Sequence, residues 1–161
     1  MAFKVGDTVV YPGHGVGKVS AVESKKIGSA KLQFLDITII DTGMKIMVPV
    51  SQAKSVGLRA VMSKQALKKV YSILKSKHKV DTQTWNRRFR EYTEKIKTGS
   101  VYEIAEVVRD LCCLGKEKDL SFGEKQMLDI AQGLLASEIA VVKASSPDKV
   151  MGEIRSLCGL E

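Results

Sequence analysis

Cysteine is scarce in this chain and badly spaced. Cys112, Cys113 and Cys158 are the only three, two of them adjacent, and no Cys-x-x-Cys occurs. An odd count with two neighbours makes a poor disulfide framework. The two histidines, His14 and His78, lie far from the cysteines in sequence, so no structural zinc site is expected. Free thiols in a reducing compartment, with no metal and no cofactor, are the expectation. Long apolar runs are missing too: none approaches the ~20 residues of a membrane helix. The start, Met1-Ala2-Phe3-Lys4-Val5-Gly6-Asp7, has no apolar signal core, so a cytoplasmic location is expected. No Ser-His-Asp or Cys-His pattern can be argued, His14 has no acid partner nearby, and no carboxylates pair in sequence. An enzyme therefore has no positive support. Aromatic residues make up only 6% of the chain, with a single tryptophan, Trp85.

Basic charge, by contrast, is abundant and unevenly spread. The formal net charge is +8. Residues 62–98 hold 11 Lys and Arg against 3 Asp and Glu, whereas residues 99–161 hold 7 against 11. The middle of the chain thus carries a charge equal to that of the whole. A solvated helical face would account for part of it. Such a density beside an acidic segment also favours a polyanionic partner.

The hydrophobic period changes once along the 161 residues. Residues 1–61 read as short strands: Thr8 to Tyr11, Val16 to Val22, Lys31 to Ile40, Met44 to Val48 and Leu58 to Met62. Turn signals separate them at Pro12-Gly13-His14-Gly15 and Asp41-Thr42-Gly43. On the longest strand, Ile37 and Ile39 share one face while Thr38 and Ile40 share the other. Residues 62–161 read as helices. Ser63 and Thr84 are candidate caps, and Ser100-x-x-Glu103 and Ser121-x-x-Glu124 fit the capping box. Ser146-Pro147 supplies a cap followed by a first-turn proline. Phe89, Tyr92 and Ile96 form the expected core stripe of the helix that begins near Trp85. The expectation is an α+β chain of two domains: a small antiparallel β-barrel over residues 1–61, then a compact all-α domain over residues 62–161.

Three features invite a functional reading. Gly13-His14-Gly15-Val16-Gly17 is glycine-rich, but a strand follows it, so a tight turn is the better account than a phosphate cradle. Phe3, Tyr11 and Phe34 could make an aromatic cage, with core packing as the plainer use. Met47, between Ile46 and Val48, sits in a strand that could lie at a sheet edge and pair with a partner's strand, or could equally be core. The sharpest feature is Trp85-Asn86-Arg87-Arg88-Phe89-Arg90. A tryptophan on such a stripe is as a rule packed inside. Here it opens the helix, with three arginines around it. A flat ring beside guanidinium groups suits a protein that grips phosphates and presses on bases.

Four segments resemble one family in order and spacing. Phe3-Lys4-Val5-Gly6-Asp7-Thr8-Val9-Val10-Tyr11-Pro12-Gly13-His14-Gly15 resembles the opening of the CarD/CdnL bacterial transcription regulators. Trp85-Asn86-Arg87-Arg88 resembles their tryptophan-and-arginine motif. Ala105-Glu106-Val107-Val108-Arg109-Asp110-Leu111 and Leu120-Ser121-x-Gly123-Glu124-Lys125-x-Met127-Leu128 resemble two later signatures. The resemblance implies a Tudor-like N-terminal domain that docks on the RNA polymerase β subunit through Lys45, Ile46, Met47, Val48 and Pro49, with Lys25 nearby. It implies a helical domain that contacts promoter DNA at the upstream fork of the transcription bubble, through Trp85, Arg87, Arg88, Arg90 and Lys125. The ring would wedge into the minor groove and stabilise the open complex. Met47 departs from members that carry arginine there, which implies a more apolar polymerase contact. The competing expectation is an independent nucleic-acid-binding protein without sequence preference.

Overall fold

The computed structural model describes residues 3–76 and 85–159, with the side chain of Trp85 outside that description. The chain divides into two compact units, Met1–Val61 and Met62–Glu161.

The first unit is an antiparallel sheet. Its strands are β1 (Thr8–Tyr11), β2 (Gly15–Ile27), β3 (Ala30–Ile39), β4 (Lys45–Pro49) and β5 (Arg59–Ala60). Their order across the sheet is β4-β3-β2-β1-β5. Alternation does the sorting. Leu35, Ile37 and Ile39 point inward from β3 and join Val9, Val19, Val48, Ala53 and Leu58 in one core. The turn at Pro12–His14 relies on Gly13 at φ 80° and Gly15 at φ 106°, which side-chain-bearing residues rarely adopt. Gly17 has a different use. A Cβ there would lie 2.7 Å from Ile37 Cγ2 and 3.0 Å from the Thr38 carbonyl oxygen, so only glycine lets β2 lie this close to β3. A register shift between Val19 and Ala21 marks a bulge in β2. Beyond it, β2 and β3 continue as a ribbon whose end, Ser24 to Gln33, is exposed on both faces. The last strand is shorter than its β-forming run suggests, because Met62 packs into the helical core instead.

The second unit contains five helices: α1 (Lys64–Lys75), α2 (Trp85–Lys97), α3 (Val101–Glu117), α4 (Phe122–Lys143) and α5 (Pro147–Leu157). Helix α3 packs against α1, α2 and α4, and α4 carries α5. Helical spacing places Val101, Ile104, Ala105, Val108 and Leu111 on one face of α3, and Met127, Leu128, Ala131, Leu134, Leu135 and Ile139 on one face of α4; all are buried except Leu134, which is half-buried. Caps set the helix starts. The hydroxyls of Ser63, Ser121 and Ser146 accept from the backbone N–H groups of Ala66, Glu124 and Lys149. At Ser121 the capping box is complete, since the Glu124 carboxylate also accepts from the Ser121 N–H. At Ser100 it does not form. The Glu103 carboxylate accepts from the Thr98 hydroxyl instead, and so is diverted from its reciprocal role. Thr84, the cap expected for α2, lies outside the described residues.

Candidate nucleic-acid interface

Helix α2 has two sharply different sides. Asn86, Arg87, Phe89, Arg90 and Glu91 are exposed, while Arg88, Tyr92 and Ile96 are buried. The guanidinium of Arg88, only 9% exposed, donates from Nη1 to Glu124 Oε2 at 3.0 Å. Glu124 is 1% exposed. Its other oxygen accepts from the Ser121 N–H at 2.8 Å, and Lys118 Nζ lies 3.8 Å away. Burial alone would raise the Glu124 pKa. The Ser121 N–H, the Arg88 guanidinium and then the Lys118 charge outweigh it and hold the carboxyl below its ordinary value. Arg88 also hydrogen bonds Tyr92, whose hydroxyl is pushed up to about 12, first by burial and then by the nearby Asp110 charge. Arg88 is therefore a strut joining α2 to the first turn of α4.

The structure bears on two expectations. Arg88 was expected at the DNA backbone, but its guanidinium points into the domain and is engaged by Glu124. Phe89 was expected in the core stripe, but it is 48% exposed. One cause accounts for both. The inward position next to Tyr92 is taken by an arginine that has an ion partner, so the ring one residue on is turned out.

Of the remaining basic candidates, Arg87 is exposed and lies 3.9 Å from Glu91, one turn away on the same helix. Arg90 is exposed, and one turn of helix puts it on the side of Arg87. Lys125 is exposed in the first turn of α4, directly after the Glu124 that receives Arg88. The Arg88–Glu124 bond thus ties the element bearing Arg87 and Arg90 to the element bearing Lys125. Phe122, at the start of α4, is 81% exposed and was missed in the sequence. The signal was there: it lies nine residues from buried Ala131, half a turn out of phase with the core face. Trp85 opens α2, and its ring lies outside the described residues.

In the other unit, β4 coincides with the expected docking strand. Among the described residues it pairs with β3 alone and forms one edge of the sheet. Val48 is buried, Ile46 and Pro49 are half-buried, and Lys45 and Met47 are exposed, Met47 at 44%. A groove of about 260 Å³ is lined by Ser20, Asp36, Lys45, Ile46 and Met47. The buried Asp36 Oδ1 has no hydrogen-bond partner among the described residues. Lys25 stands on the exposed ribbon, opposite Leu32. The three candidate cage rings do not stand out as a site: Phe3 and Tyr11 pack against the sheet core, and Phe34 is half-buried. Among the described residues no group of three or more potential ligands could hold a metal ion, and no helix is long and apolar enough to cross a membrane.

Comparison with known families decides the kinship. Residues 3–62 match the CarD-like/TRCF RID domain, and residues 69–155 match the C-terminal domain of CarD. The chain belongs to the CarD family. A relative from Bacillus subtilis (strain 168), YdeB, described as a candidate transcription factor, is 38% identical over 148 residues, 92% of this chain and 97% of that protein. Two solved structures align with part of the chain. The solution structure of the 72-residue N-terminal domain of Myxococcus xanthus CarD is 38% identical, covering 36% of this chain and 77% of that one, with a TM-score of 0.32. CdnLNt from the same organism is 41% identical, covering 40% and 90%, with a TM-score of 0.34. CarD-family membership makes this chain a transcription regulator by kinship rather than a member of an enzyme family.

Proposed function

We propose that this CarD-family protein binds the RNA polymerase β subunit and stabilises the promoter open complex. The observation that carries the reading is the pair of family matches, which together span nearly the whole chain in the order sheet then helices. The sheet tethers the protein to polymerase through the outer edge of β4, where a strand of the partner adds to the sheet. Lys45 and Met47 face that partner, Lys25 reaches it from the ribbon, and a donor from the partner satisfies Asp36 Oδ1. Tethering raises the local concentration of the helical unit at promoter DNA.

Arg87, Arg90 and Lys125 then grip the DNA backbone without reading bases, while Trp85 fills the upstream fork of the bubble. Closing the bubble requires expelling the ring. Unstacking a base step costs a few kcal/mol, part of which melting has already supplied. Arg88 acts indirectly, by holding α2 against α4 so that the two basic segments keep their spacing.

Open-complex lifetime on a promoter tests the wedge. Trp85→Ala shortens it while binding to the β subunit stays intact; an unchanged lifetime rejects the wedge. Met47→Glu tests the tether, because it weakens β-subunit binding. Tight DNA binding without polymerase, together with unaltered polymerase affinity of Met47→Glu, would favour an independent nucleic-acid-binding protein instead.

A further inference from the structure

The thiols are not scattered as their sequence positions suggest. Cys112 on α3 and Cys158 at the end of α5 are both buried, at 1% and 5% exposure, and their sulfurs are in hydrogen-bonding contact. Both are free thiols. They line one partly open cavity of about 170 Å³. Among the described residues its charged lining is basic: Lys75, Arg109 and Lys116. Arg109 is engaged with Asp110 and Ser76. Lys116 is not simply dangling: a Cβ on Gly159 would come within 2.6 Å of its Nζ, so the ammonium lies over the residue that follows Cys158. The half-buried Cys113 lines the same cavity.

We propose that Cys112 and Cys158 form a peroxide-reactive dithiol that closes into a disulfide between α3 and the end of α5. The two buried thiols share a hydrogen bond and line one cavity, which gives a molecule the size of hydrogen peroxide a route to them. Cys158 is the attacking sulfur. The bond donated by the Cys112 thiol lowers its pKa, burial opposes this, and the Lys116 charge lowers it further. Cys112 is correspondingly held as the thiol, through its bond to Cys158 and then burial.

The Cys158 thiolate attacks one peroxide oxygen. The O–O bond breaks, the departing hydroxide takes a proton to become water, and Cys158 becomes a sulfenic acid. The Cys112 sulfur then attacks the Cys158 sulfur. The S–O bond breaks, and the second hydroxide takes the Cys112 proton. Two thiols and one peroxide yield one disulfide and two waters; the sulfurs lose the two electrons that the peroxide gains. The proposal concerns only the helical unit and is independent of how the chain meets polymerase.

The test is peroxide treatment of the fully reduced chain, followed by alkylation and peptide mapping. The expected product has lost two hydrogens, keeps Cys113 alkylatable and joins the Cys112 and Cys158 peptides. Cys113→Ser leaves that link intact, and Cys158→Ser abolishes it. Lys116→Gln slows its formation severalfold at neutral pH without preventing it, because fewer Cys158 sulfurs are ionised. Three alkylatable thiols after peroxide treatment, oxidation to sulfinic acid without a cross-link, or a link running through Cys113 would each overturn the assignment.

Discussion

The two units of this chain build their cores in opposite ways. The sheet is sorted by alternation alone: its core of Val9, Val19, Leu35, Ile37, Ile39, Val48, Ala53 and Leu58 is wholly apolar. The helical unit buries ionisable groups as well, namely Arg88, Asp110, Glu124 and Glu138. Glu138 accepts from the Met62 N–H at 2.7 Å, and Glu124 receives Arg88. An apolar core tolerates error in proportion to volume. A buried ion pair does not, because removing one member leaves a charge with no water around it. The sheet is therefore sensitive to crowding, and the helical unit to unpairing.

The largest expected effect follows from that asymmetry. Arg88→Ala destabilises the helical unit by about 3–5 kcal/mol, measured by denaturant unfolding, whereas replacing both Arg88 and Glu124 with methionine recovers most of the loss. If the single change costs no more than an exposed substitution such as Arg87→Ala, the strut carries no weight. Next comes crowding in the sheet. Gly17→Ala costs about 1–3 kcal/mol, because its Cβ would meet Ile37 and the Thr38 carbonyl. A neutral result would mean that β2 and β3 separate freely.

Acid sharpens the contrast. The folded-state pKa of Glu124 is held below its unfolded value. Its contribution is thus present above the ordinary carboxylate range and is lost as pH falls through the folded value. Amide hydrogen exchange in acid should show α2 and the first turn of α4 opening early, and Glu124→Gln should remove that part of the pH dependence. Protection of these segments that ignores pH would count against the account. The smallest effects separate two similar serines. Ser121→Ala costs about 1 kcal/mol, while Ser100→Ala, whose side chain caps nothing, stays within about 0.5 kcal/mol. Thermal melts of the two variants check the difference.

The same contrast explains what could be read from the residues. Strand β1 falls on Thr8–Tyr11, as its β-forming run predicts, because alternation is a local property. β4 likewise follows from Met44 to Val48 with a shift of one residue. Ser121 and Ser146 cap as expected, since each cap bond closes within three residues. What was not legible depends on partners distant in sequence. Ser100-x-x-Glu103 has the pattern of Ser121-x-x-Glu124, yet Thr98 draws Glu103 away. Phe89 fits the core stripe of α2, but the ion pair between Arg88 and a residue 36 positions away fixes the helix's rotation. In the candidate site, Arg87, Arg90 and Lys125 are exposed and Arg88 is buried, a difference that local sequence does not show.

The inward turn of Arg88 changes how a genetic scan of the motif must be interpreted. Alanine at Arg87, Arg90 or Lys125 subtracts a cation from a surface and leaves the scaffold standing. Alanine at Arg88 strips the counterion from a sealed carboxylate, and under the proposed function a promoter assay registers both kinds of loss as the same phenotype. Only suppression distinguishes them: a second change at Glu124 can rescue the Arg88 variant, and no change there can restore a missing surface cation.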